Sequence, residues 1–111
     1  MMPSLRARLT VFRSRIGMFV GDADRLAEVD ALILGFGEGV GDDFYLRFQR
    51  HLSSQEADRP ELAVPSLIVK RLYPSRQSWN PRDLDPADGR RAVESLFDLL
   101  DSFLESEGYA P

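Results

Sequence analysis

Between Asp85 and Gly108, Val93, Leu96, Phe97, Leu100, Phe103 and Leu104 recur at steps of three, one, three, three and one. That spacing follows the turn of an α-helix and lays large apolar side chains on one wide face. A face this wide needs cover from more than one side, so the rest of the chain must supply helices that pack on it. Asp85-Pro86 offers a capping carboxylate followed by proline at the first helical position, and Gly108 is a suitable stop.

The remaining sequence supplies such cover. Leu5, Leu9, Phe12 and Ile16 stand four, three and four apart, with Ser4 as N-cap and Gly17 after the end. Leu26, Val29, Ile33 and Phe36 form a second stripe, which Ala27, Ala31 and Leu34 widen. Asp22 and Asp24 are its candidate caps, and the run Gly35, Gly37, Gly39 and Gly41 is expected to end it. Phe44, Phe48 and Leu52, with Tyr45 beside them and Asp42 or Asp43 as cap, make a third helix ending near Ser53. Residues 54–61 are polar and read as a loop. In the stretch 62–73, Val64, Leu67, Ile68 and Val69 fit either a buried strand or a short helix opened by Pro65-Ser66; the helix is favoured. Residues 74–86 hold several prolines and read as an irregular loop. The expected architecture is an all-α, compact single-domain bundle of four to five helices spanning 1–111, with antiparallel neighbours.

Composition narrows the function classes. A chain of 111 residues, 43% hydrophobic and 29% charged, suits one soluble globular domain. Cysteine is absent, which excludes disulfides and thiolate zinc sites. The net charge of −4 argues against nucleic acid as partner and for a protein partner of basic character. No apolar run approaches the length of a membrane span, and the N-terminal stretch lacks the apolar core of a signal peptide, so no membrane partner and a cytoplasmic location are expected. Lys70 is the only lysine; the arginine-rich remainder reads as coding bias.

Candidate chemistry is sparse. In "GFGEGVGDD", Asp42 stands where a dinucleotide-binding loop needs its third glycine, no lysine follows, and Glu38, Asp42 and Asp43 would repel phosphate. His51 is the single histidine, so neither a metal site nor a catalytic triad is expected, and no cofactor. Asp22, Asp24, Glu38, Asp42 and Asp43 are explained by capping and helix-dipole effects. Trp79 lies near Tyr73, Arg76 and Arg82, residue types that anchor interfaces; the plainer reading has Trp79 plug its loop onto the core.

The stretch "RSRIGMFVGDADRLAEVDALILGF" resembles the motif R-x-R-P-G-M-Y-[IL]-G found in two groups. One is the ATPase domain of DNA gyrase and its topoisomerase relatives. The other is a set of small bacterial proteins of the kind encoded beside toxins as immunity proteins. Arg15, Gly17, Met18, Phe19 and Gly21 match the motif, with Ile16 where proline is usual and Phe19 where tyrosine is usual. The resemblance to the small-protein set extends to Phe48-Gln49-Arg50-His51-Leu52 and to the stretch from Leu96 to Phe103. The gyrase resemblance stops at the motif: the asparagine-bearing helix and D-x-G-x-G loop that hold ATP have no counterpart, so it implies no ATPase activity.

These readings converge on a non-enzymatic binding protein, an immunity protein that neutralises a bacterial toxin by direct contact. Glu38, Asp42, Asp43, Arg76, Trp79 and Arg82 are the candidate partner-binding residues. The motif residues Arg15, Gly17, Met18, Phe19 and Gly21 are assigned a structural role, a tight connector in which Phe19 is buried. Two alternatives remain: a helical homo-oligomer with a structural or regulatory role, and a nucleotide-binding protein that uses the Gly17–Gly21 loop.

Overall fold

Asp85 opens the longest helix as its sequence requires, its side chain accepting from the Asp88 amide at 2.8 Å with Pro86 in the first turn. The computed structural model describes residues 3–16, 25–56, 59 and 61–111. Among these lie α1 (Leu5–Ser14), α2 (Leu26–Val40), α3 (Phe44–Gln55), α4 (Val64–Leu72) and α5 (Pro86–Ser106), with a single 3-10 turn at Pro81–Asp83. The fold is all-α, and the described residues contain no strand.

The wide apolar face of α5 is the surface the others share: α1, α2, α3 and α4 all pack against it. Val29 and Ile33 of α2, Phe44, Phe48 and Leu52 of α3, and Leu67, Ile68 and Val69 of α4 converge there with Leu96, Leu100 and Leu104 of α5. Each such burial contributes roughly 1.5–3 kcal/mol. Phe48 and Phe103 meet at 5.7 Å between ring centroids, and Phe12 leans on Phe97 at 6.1 Å. The stretch 62–73 resolves as a helix, with Pro65 in its first turn and Ile68 fully buried.

Two expectations change. The glycine run does not end the second helix, because α2 continues through Gly35, Gly37 and Gly39 to Val40. Only Gly41, at φ 72°, takes the left-handed conformation that terminates it. Gly37 has a packing reason: a Cβ there would stand 3.1 Å from the Phe44 ring and 3.3 Å from the Asp42 carbonyl oxygen, so glycine lets α3 turn back tightly against α2. Packing of this kind outweighs glycine's poor helix propensity, about 1 kcal/mol per residue. Second, Ala31 and Leu34 do not widen the buried stripe; both are exposed, so the core face of α2 is narrower than its composition suggests.

The connector between α1 and α2, with Gly17, Met18, Phe19 and Gly21 of the motif and the cap candidates Asp22 and Asp24, lies outside the described residues. Arg15 caps the C-terminal end of α1 and is exposed, whereas Ile16 joins the core.

Candidate functional site

The tight α2–α3 turn has a second effect. It brings the exposed side chains of Leu34, from α2, and Leu46, from α3, to the walls of one depression of about 250 Å³. Glu38, Asp42 and Asp43 stand around it, and Tyr45 lines it. Three of the partner-binding candidates read from the sequence therefore share one feature with an apolar wall. Tyr45 is almost wholly buried, and its hydroxyl has no hydrogen-bond partner among the described residues. A buried hydroxyl left unpaired is costly, and this one lies beneath the surface of the depression rather than open to it.

The three carboxylates are not equivalent. Asp42, just ahead of the N-cap residue Asp43, accepts from the Phe44 amide at the start of α3 at 2.7 Å, and it also accepts from the Tyr109 hydroxyl. Asp43 pairs with Arg47 at 3.0 Å. Arg47 in turn bonds Glu107 and Tyr109, each at 2.5 Å. The bond to Asp43, together with those to Tyr109 and Glu107, raises the Arg47 pKa above its ordinary value against the opposing effect of burial. Burial raises that of the Tyr109 phenol; the bond from Arg47 opposes the rise and the bond to Asp42 adds to it. Glu38 has no ion pair among the described residues and is the exposed, uncommitted carboxylate of the rim.

The 74–86 loop is organised differently. Arg76 donates to Asp88 at 2.6 Å and lies 4.7 Å over the Tyr73 ring, so it fastens the loop to the start of α5. The Tyr73 hydroxyl donates to the same carboxylate, and burial, followed by that bond, raises its pKa. Trp79 packs against the core between Arg59 at 5.1 Å and Lys70 at 5.7 Å. Its buried indole N–H has no acceptor among the described residues. Arg82 is exposed, beside Arg25 at the start of α2. Arg76 and Trp79 thus hold the loop in place, and Arg82 is its open cation.

The two candidate patches are not one site. Arg82 sits at the N-terminal end of α2 and Glu38 near its C-terminal end, separated by about 18 Å of helix. The sequence reading missed Leu34, Leu46 and Tyr45. Leu46 carried a usable signal: it stands off the Phe44–Phe48–Leu52 stripe, on the side of α3 that its own periodicity assigns to solvent. Asp30, on α2, was also missed; its Oδ1 is buried without a partner among the described residues, and burial pushes its carboxyl up to about 7.

Among the described residues no group of histidine, aspartate and glutamate is arranged to hold a metal ion, and no helix is long and apolar enough to cross a membrane. Compared with known proteins, the chain matches no family model, no curated protein and no solved structure.

Proposed function

We propose that the chain is a non-enzymatic binding protein of the immunity type, which neutralises a bacterial toxin by seating one of its basic surface residues in the depression at the α2–α3 turn. The observation that carries this reading is the combination at one place of an uncommitted carboxylate, Glu38, and two exposed leucines, Leu34 and Leu46. A lysine or arginine matches such a site: its stem lies on apolar surface while its head reaches the carboxylate. The acidic rim steers a basic partner and raises its on-rate, as does the net charge of −4. The assignment to toxin neutralisation rests on the resemblance of the Arg15–Gly21 motif and of the α3 and α5 segments to small immunity-like proteins.

The test is co-expression with the product of the adjacent gene. The wild-type chain protects the cell, whereas Glu38→Arg and Leu46→Asp, both at exposed positions, lose protection while keeping the denaturation midpoint. A neighbour without toxicity, or variants that protect as well as the wild type, would overturn the reading.

A further inference from the structure

The arginines of α1 fall into two sets. Arg6 and Arg13 reach α5, Arg6 to Asp101 at 2.8 and 3.0 Å and Arg13 to Asp98 at 2.8 Å. Arg8 and Arg15 have no carboxylate partner among the described residues, and the Arg8 guanidinium lies 5.1 Å over the Phe36 ring instead. On their side α1 faces α2 across an open groove of about 650 Å³. Ala7 and Val11 form one wall and Leu32, Gly35 and Phe36 the other, with Arg8 and Arg15 lining it too. Val11 is half exposed, and α1 is held chiefly by α5.

Gly35 sharpens the picture. It sits inside α2 without a positive φ, and a Cβ built on it meets nothing within 4 Å. Neither backbone conformation nor packing among the described residues calls for glycine there, although glycine weakens a helix interior. Its absent side chain leaves the groove wall open to close approach by a guest.

We propose that this groove docks an amphipathic helix of a partner protein, whose apolar face lies between α1 and α2 and whose carboxylates pair with Arg8 and Arg15. Charge complementarity selects the guest: the described charges lining the groove are arginines, on a chain that is acidic overall. Arg8 and Arg15 are seven residues apart, about 10 Å along a helix, which matches carboxylates two turns apart on a guest helix. Recognition of this type uses apolar anchors for affinity and rim charges for orientation. It uses different residues from the depression at the α2–α3 turn and does not depend on it.

The experiment titrates the full chain against a labelled helix-forming peptide of about 18 residues, long enough to hold helical structure, with leucines on one face and two glutamates seven apart. A second peptide carries lysines in place of the glutamates. The glutamate peptide is expected to bind saturably, and the lysine peptide about tenfold or more weakly, a factor well within what two rim charges supply. The double variant Arg8→Glu/Arg15→Glu reverses that order. Gly35→Trp fills the groove and abolishes binding with a denaturation midpoint no lower than that of the wild type. Equal binding of both peptides, or no binding at about 1 mM, overturns the proposal. So does a lowered midpoint for Gly35→Trp, which would mean that the chain itself fills the groove. Concentration-dependent sedimentation of the wild type that Gly35→Trp abolishes would assign the groove to a second copy and overturns it as well.

Discussion

The Tyr109 hydroxyl donates to the Asp42 carboxylate at 3.0 Å, linking the segment that follows α5 to the turn between α2 and α3. The acidic rim at that turn is therefore held from the far end of the sequence. Tyr109→Phe removes this donor and leaves the ring in place. The hydroxyl also accepts from Arg47, so urea denaturation should show a loss of about 1–3 kcal/mol, the net worth of two partly buried hydrogen bonds. A midpoint equal to wild type would mean that Arg47 and the Phe44 amide alone fix Asp42.

Asp30 gives stability a pH dependence of unusual sign for a carboxylate. Its folded pKa, about 7, lies above the ordinary value, so between about pH 4 and 7 the folded state binds more protons than the unfolded one. Stability from this group is present in full at low pH and falls as pH rises toward 7. Asp30→Asn should raise stability by about 2 kcal/mol at pH 8, with the gain shrinking to nothing near pH 4. Parallel guanidinium curves at the two pH values check this, and a gain independent of pH would show that the carboxyl is not neutral in the fold.

Two glycines of α2 make a matched pair. Gly37→Ala drives a Cβ to 3.1 Å from Phe44 and 3.3 Å from the Asp42 backbone, so it should destabilise by about 1–3 kcal/mol. Gly39→Ala places its methyl in open space and should stabilise by about 0.5–1 kcal/mol through helix propensity. Opposite shifts in thermal midpoint are the expected result; shifts of the same sign would contradict the close α2–α3 approach.

Arg6 fastens α1 to α5 with a two-pronged bond to Asp101, and that bond holds the Asp101 carboxyl below its ordinary range. A depressed carboxylate lends its stability above the unfolded pKa and loses it as pH falls through the folded one. Arg6→Ala should accordingly lower the denaturation midpoint at pH 7 and cost progressively less as the solution is acidified. A penalty that persists in acid would point to packing of the arginine stem as the main contribution.

Local chemistry made much of the fold readable. Ser4 and Asp85 cap the helices they precede, and the stripes of α1, α3 and α5 face the core as their spacing requires. What failed involved contacts between distant residues. The glycines of α2 look like a helix end by propensity, yet α2 runs on through them, and at Gly37 the close approach of Phe44 leaves no room for a Cβ. Leu34 looks like core by composition, yet nothing in the described chain covers it fully. Of the site, the acidic rim was visible as a cluster. Its division into a structural Asp42, a paired Asp43 and an uncommitted Glu38 depends on Arg47 and Tyr109, which periodicity does not bring together. The arginines read as coding bias include the clamps Arg6, Arg13 and Arg47, whose forked donors join α1 to α5 and the α2–α3 turn to the chain's last segment.

Because α5 is the surface on which every other described helix rests, its position in the chain bears on the order of assembly. During synthesis α1 to α4 leave the ribosome with their apolar faces turned toward a support that has not yet been translated. Until Leu96, Leu100 and Leu104 follow, the earlier helices can meet only one another, and those encounters leave Val29, Phe48 and Ile68 without their final cover. The apolar faces of α1 to α4 therefore keep part of their surface uncovered until α5 has been made, and exposed surface of that kind is what favours wrong association.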